Sequence, residues 1–181
     1  MKIAKTSLPG VLVITPAVHR DGRGAFWETW NQRKMALEGL PGPWVQDNFS
    51  LSKKNVIRGI HYQIFKPQGK LVLVTHGAIL DIAVDLRRSS PTFAQHVAVE
   101  LAGETGEMLW IPEGFGHGFL ALSDTAGVAY KVTDDYSPAA ERTIVWNDPD
   151  LAIPWPIEEE CAILSDKDRA GVTLQNAEVF L

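Results

Sequence analysis

Short apolar runs rich in Val, Ile, Leu and aromatic side chains recur along the chain, and Gly, Pro, Asn and Asp separate them. That punctuation predicts antiparallel strands. They fall at Val11–Thr15, Trp44–Phe49, Lys70–Thr75, Ile79–Leu86, Ala94–Leu101, Met108–Ile111, Gly116–Leu122 and Gly127–Val132. Strands this short and this numerous point to a sandwich or barrel. One helix is expected, over Gln32–Leu40, where Met35, Leu37 and Leu40 offer an apolar face and Gly39 with Pro41 marks the stop. The segment Pro149–Pro156 reads as an arm crossing the surface, with Trp146 and Trp155 as packing residues.

In Ile79–Leu86, strict alternation puts Leu80, Ile82, Val84 and Leu86 on one face and Asp81 and Asp85 on the other. If that second face lines an interior, both carboxylates need cationic or hydrogen-bonding partners. The ordinary reading is that it meets solvent.

At 181 residues the chain is expected to form a single domain over 1–181. Hydrophobic residues make up 45% and charged ones 22%, the proportions of a soluble globular protein. No apolar run approaches the ~20 residues of a membrane span. Met1–Lys5 has two lysines but no apolar stretch behind them, so it does not read as a signal peptide, and a cytoplasmic location is expected. The single Cys161 has no partner for an internal disulfide and no neighbouring histidine. A net charge of −5 argues against general nucleic-acid binding, while leaving room for a small anion held by a local cluster of basic groups.

The segment Gly106-x5-Pro112-x-Gly114-x2-His117 resembles the second motif of the cupin superfamily, except that Ala121 stands where an asparagine is usual. The resemblance implies a double-stranded β-helix, or jelly-roll, barrel: an all-β fold with a few short helices. Metal-binding cupins carry a His-x-His pair, whereas the matching strand here reads His61-Tyr62-Gln63. His19, His76 and His96 are isolated, and no set of three or four ligands is readable at the expected spacing. No metal is expected.

A histidine in a barrel pocket without a metal suits proton transfer. The run Arg58-Gly59-Ile60-His61-Tyr62-Gln63, with Gln68-Gly69-Lys70-Leu71-Val72, closely resembles the core of the dTDP-4-dehydrorhamnose 3,5-epimerase family. Further similar segments follow in the family's order: Asp21-x-Arg23-Gly24-x-Phe26-x-Glu28, Gln46-Asp47-Asn48, Ile111-Pro112-x-Gly114-Phe115, Tyr130-Lys131, Trp146-Asn147-Asp148-Pro149 and Leu164-Ser165-x-Lys167-Asp168. They span nearly the whole chain.

The resemblance implies that a dTDP-linked 4-keto-6-deoxyhexose is inverted at carbons 3 and 5 without a cofactor. Both carbons adjoin the carbonyl, so each can lose a proton to give an enolate and regain one from the other face. By resemblance His61 is the base and Tyr130 the acid. Asp168 pairs with the histidine, fixing its tautomer and raising its pKa. Lys70 stabilises the enolate oxygen. Arg23, Arg58 and Lys167 match groups that hold the diphosphate. Phe26, Glu28, Gln46, Asp47 and Asn48 match nucleotide contacts, and His117 and Glu141 complete the ligand shell. The segment with Arg23 and Glu28 commonly reaches into a neighbouring subunit, which implies a homodimer.

Ideal alternation would send Arg58 and His61 to opposite faces, so a bulge is expected at Gly59. Asp166-Lys167-Asp168-Arg169 also reads as an exposed charged turn. Ala25 stands where the family often has an aromatic ring, a wall that Trp27 could supply. Three other functions stay open: an epimerase inverting one centre, a non-catalytic nucleotide-sugar-binding cupin, and a metal-dependent cupin.

Overall fold

The computed structural model describes residues 1–40, 42 and 44–181. Two antiparallel sheets form the barrel. The larger has the order β1 (Lys2–Lys5), β2 (Leu12–Thr15), β10 (Met108–Ile111), β7 (Lys70–His76), β12 (Thr125–Val132) and β5 (Gln46–Lys53). The smaller has the order β13 (Glu141–Thr143), β6 (Ile57–Gln63), β11 (Phe115–Ala121), β8 (Ala78–Asp85) and β9 (His96–Ala102). From β5 onward the chain changes sheet at every step except β8 to β9, which is the winding of a jelly roll. A separate hairpin, β3 (His19–Asp21) with β4 (Gly24–Phe26), pairs only with itself and is exposed throughout.

Apolar side chains fill three layers. Between the sheets, Val72, Val74, Leu109 and Val128 meet Ile79, Ala83, Leu101 and Phe119. Outside the smaller sheet, Ile60, Ile82, Val84 and Leu86 are covered by the C-terminal arm through Trp146, Leu151, Trp155 and Leu174. The arm's two indoles are core groups, packed edge to face, and Trp155 Nε1 donates to the carbonyl of Trp146 at 2.8 Å. Outside the larger sheet, Leu71, Met108 and Trp110 lie beneath Met35 and Leu40.

The strand expectations hold to within a few residues at most ends, while β1, β3, β4, β6 and β13 were not among them. The helix α1 is shorter than expected, Gln32–Leu37, with Asn31 as its N-cap accepting from the Lys34 N–H. Met35 is buried, but Leu37 is 84% exposed, because two residues turn about 200° around a helix and carry it to the far side. Gly39 ends the turn with φ +77°. The stop expected at Pro41 lies outside the described residues.

The solvent reading of the Asp81 and Asp85 face is overturned. Strand β8 lies between β11 and β9 with both faces covered, and neither carboxylate is exposed. Asp85 is saturated: the backbone N–H and guanidinium of Arg87 and the hydroxyls of Ser90 and Thr92 all donate to it. Burial pushes its carboxyl up, but these donors outweigh that and hold it down to about 2.

The bulge is present. Between paired positions β6 advances three residues, Arg58 to His61, while β11 moves two, Phe119 to His117. Gly59 takes φ +118°, and a Cβ there would stand 2.5 Å from the Gly118 Cα. Only glycine fits so close a crossing of two backbones.

Gly59→Ala is therefore expected to lose on the order of 2–4 kcal/mol of stability in urea denaturation. Asp85→Asn should cost a similar ~2–4 kcal/mol near neutral pH, from loss of a hydrogen-bonded buried ion pair. Because the folded carboxyl is held below its ordinary 3.8, its stabilisation is complete above about pH 4 and fades as pH falls through about 2. The variant should accordingly show a shallower decline of stability across that acid range.

Candidate active site

The barrel opens at one end into a cavity of about 340 Å³. Its walls come from both sheets. From the smaller sheet, β6 presents Arg58 and His61 together because the bulge at Gly59 absorbs one residue of alternation, and β11 adds His117. From the larger sheet, β12 presents Tyr130, β7 presents Lys70, and β5 sends in Gln46, Asn48 and Ser50. Glu141 and Lys167 stand at the mouth.

His61 Nε2 lies 2.6 Å from Asp168 Oδ1, an ion-pair distance, although a hydrogen on Nε2 would point off the line to that oxygen. Asp168 is the third residue of the short helix α2 (Asp166–Arg169) and is buried, so it is no exposed turn residue. Its carboxylate also accepts from the Ser165 hydroxyl at 2.6 Å and from the Gly59 N–H at 3.2 Å. Burial pushes that carboxyl up, but His61, Ser165 and Gly59 outweigh it and hold it at about 2. A fixed anion beside Nε2 favours the tautomer protonated there, leaving Nδ1 as the basic nitrogen.

For His61 itself the net shift is downward, against the expectation that Asp168 would raise it. Burial is the largest influence and exceeds the pull of Asp168, while Lys167 and Lys70 add to the downward push. The imidazole is thus uncharged at neutral pH, as a base requires. Tyr130 moves the other way: burial raises its phenol, and Arg58 and Lys167 only partly oppose that. It keeps its proton and can donate it.

Lys70 is buried, and its one hydrogen bond among the described residues goes to the His61 carbonyl at 3.3 Å. Burial pushes its ammonium down to about 8, against the opposing charges of Asp81 and Glu141. Arg58 donates through Nε to Ser52 Oγ at 3.0 Å and leaves most of its fork free. At the mouth, Lys167 Nζ donates to Glu141 Oε1 at 2.8 Å, and the Tyr136 hydroxyl donates to Glu141 Oε2 at 3.0 Å. A base, an acid and a buried cation thus converge on one space, which is the equipment for removing and returning a proton beside a carbonyl.

Five residues expected at the site do not line this cavity: Asp168 stands against His61 without reaching the cavity wall, and four others lie apart from it. Arg23 has its side chain 91% exposed and pairs with Asp21. Phe26 is 73% exposed on the same hairpin, and Glu28 pairs with Lys34 and Asn31. Asp47 pairs with Lys131 on the outer face of β5. Alternation forbids Asp47 from sharing a face with Gln46 and Asn48, and that reading contradicted the period-two rule on its own strand. Conversely, Ser50 continues the inward set Gln46, Asn48 and Ser52, a signal that was legible and missed. Gln63 was also missed. It spans the mouth loops, donating to the carbonyls of Lys66 and Asp135 and accepting from the Ser137 N–H. Tyr136, in a loop, had no sequence signal at all. No group of three or more His, Cys, Asp or Glu is gathered to hold a metal among the described residues.

The sequence profile of the family described as dTDP-4-dehydrorhamnose 3,5-epimerase matches residues 5–176. A dTDP-4-dehydrorhamnose 3,5-epimerase of Pseudomonas aeruginosa is 48% identical over 181 residues, covering 99% of each chain. One from Methanothermobacter thermautotrophicus is 47% identical, over 99% of this chain and 98% of its own. Among solved structures, the Legionella pneumophila dTDP-6-deoxy-D-glucose-3,5-epimerase in complex with dTDP-4-keto-L-rhamnose superposes with a TM-score of 0.94 at 46% identity, over 98% of this chain and 94% of that one. A 3′-monoepimerase from Streptomyces bikiniensis in complex with dTDP-quinovose gives 0.87 at 35% identity, over 94% and 86%. The expected fold and the expected relationship are both found, and this chain belongs to the dTDP-4-dehydrorhamnose 3,5-epimerase family.

Proposed function

We propose that this protein epimerises a dTDP-4-keto-6-deoxyhexose at carbons 3 and 5, with His61 as base and Tyr130 as acid. The observation that carries this reading is the placement of a neutral imidazole and a protonated phenol on opposing sheets of one cavity, with the buried Lys70 lining the same space. A hexose ring lying between the sheets has one face towards each group. His61 takes the proton from a carbon next to the ketone, and the electron pair moves onto the ketone oxygen. Lys70 meets that developing charge, the interaction that gains most as the enolate forms. Tyr130 then protonates the same carbon from the other face, inverting it. Return of a proton to Tyr130 and loss of one from His61 to solvent reset the pair, and turning the sugar's other flank to it serves the second carbon.

The remaining groups fit a nucleotide diphosphate. Arg58 has guanidinium donors to spare, and Lys167 adds a second cation at the mouth, so the diphosphate lies between them. Gln46, Asn48 and Ser50 offer neutral donors and acceptors along the same wall. Arg23, Phe26 and Glu28 complete the site of a second subunit in a homodimer. The support is that Arg23 sits in the turn of an exposed hairpin, Phe26 ends that hairpin with its ring 73% exposed, Glu28 follows it, and none of the three lines its own chain's cavity. A cytoplasmic setting belongs to this reading, since a nucleotide diphosphate sugar is too polar to cross a bilayer unaided.

In heavy water, NMR of the recovered sugar should show deuterium at both carbons 3 and 5; label at one alone would make this a single-centre enzyme. His61→Ala should lower kcat by about 10²–10⁴-fold with the fold intact. Wild-type exchange in that variant would instead show that His61 is not the base.

The shared site makes a separate prediction for mixed dimers. His61→Ala and Arg23→Ala preparations, each impaired alone, should recover activity when unfolded together and refolded, because one site of the mixed dimer then has both residues intact. Recovery no greater than the sum of the two would show that each chain works with its own hairpin.

A further inference from the structure

Asp81 and Asp85 point the same way from one strand, and neither is exposed, yet they are treated differently. Asp85 has donors on both oxygens from Arg87, Ser90 and Thr92, and this accounts for it as a structural group. Asp81 has one partner: Oδ1 lies 2.6 Å from His117 Nε2, while Oδ2 is buried without any partner among the described residues. A carboxylate oxygen left so is costly, and packing would be served as well by an apolar residue. Something else in the interior must use its charge.

The group with the matching deficit is Lys70. It enters from the opposite sheet and is buried, and one long hydrogen bond to the His61 carbonyl leaves two of its three N–H donors without protein partners. We propose that Asp81 is a positioning residue that supplies the buried counter-charge for the Lys70 ammonium while holding His117 in place on the cavity floor. The inference rests on the reading in which Lys70 faces the substrate ketone. A free ammonium stabilises an enolate only while protonated, and an apolar barrel works against protonation. Donors committed to a carboxylate at contact distance would be useless to substrate; a carboxylate acting through the interior holds the charge and leaves the donors available.

The charges acting on Lys70 can be enumerated. Asp81 from β8 is the largest that favours the ammonium, Glu141 from β13 is the next, and Lys167 from α2 opposes it. His61 from β6, His117 from β11 and Tyr130 from β12 face the same cavity, and of these His117 is the one in contact with Asp81. Glu141 is already engaged by Lys167 and Tyr136 at the mouth. Among the described residues no Lys or Arg forms an ion pair with Asp81, which leaves its unpartnered oxygen to act on Lys70 through the interior.

Asp81→Asn separates charge from shape, because the amide oxygen can still accept from His117 Nε2–H. Two readouts are taken: the pH at which Lys70 loses its proton, followed by NMR of the isotopically labelled side chain without substrate, and the alkaline limb of kcat/KM. In wild type both should fall near pH 8, the value towards which burial pushes the ammonium. In the variant both should move down together by about one pH unit, making activity roughly threefold lower at pH ~7.5 and close to wild type at pH ~6.5. Asp81→Glu should restore the limb. A Lys70 titration unchanged in Asp81→Asn overturns the inference, even if the variant is less stable, because a packing role lowers stability without moving a limb. If that variant does not fold, the same titration in Asp81→Ser decides. Since the NMR readout needs no sugar, it stands apart from the epimerase reading, which the heavy-water experiment tests.

Discussion

An ionised group buried between two β-sheets must be met by opposite charge or by donors and acceptors, since water cannot reach it. This constraint shapes the molecule more than any other. Asp85 is met completely and ties β8 to the loop that follows. Asp168 is met by a histidine, a serine and a bulge N–H, and so fixes the imidazole that shares its charge. Asp81 and Lys70 are each met in part, and the donors that Lys70 has to spare are what a ketone oxygen could use.

The same constraint explains why the backbone is irregular where the cavity is built. Two polar side chains three positions apart on β6 reach one space only because β6 carries an extra residue against β11. The extra residue lies where the Gly59 and Gly118 backbones nearly touch, so the strand can bend without a side chain in the way. The bulge then does a second thing: its free N–H points at Asp168. Cavity geometry and backbone satisfaction are thus solved by one local distortion.

Electrostatics within the cavity divide its ionisable groups by environment. Burial drives both the imidazole and the phenol towards their uncharged forms, so one low-dielectric space holds a potential base and a potential acid side by side. The ammonium is the group for which burial is adverse, and it is there that opposite charges are concentrated. At the mouth the pattern changes to exposed, mutually paired charges around Glu141, suited to a ligand that arrives already charged.

The amino-acid sequence by itself determined the strand content, the barrel and the family, because alternation, glycine and proline punctuation and ordered motifs are local properties written in consecutive residues. It also contained the inward ladder Gln46, Asn48, Ser50 and Ser52, which alternation reveals and which excludes Asp47. What it could not contain is which face of a strand is covered, since that depends on sheets assembled from distant segments. So the burial of Asp81 and Asp85 and the arrival of Tyr136 at the cavity were decided by tertiary structure. The direction of the His61 shift was decided there too: a neighbouring carboxylate can be inferred from a motif, but desolvation is set by everything packed around the ring, and here it is the larger effect.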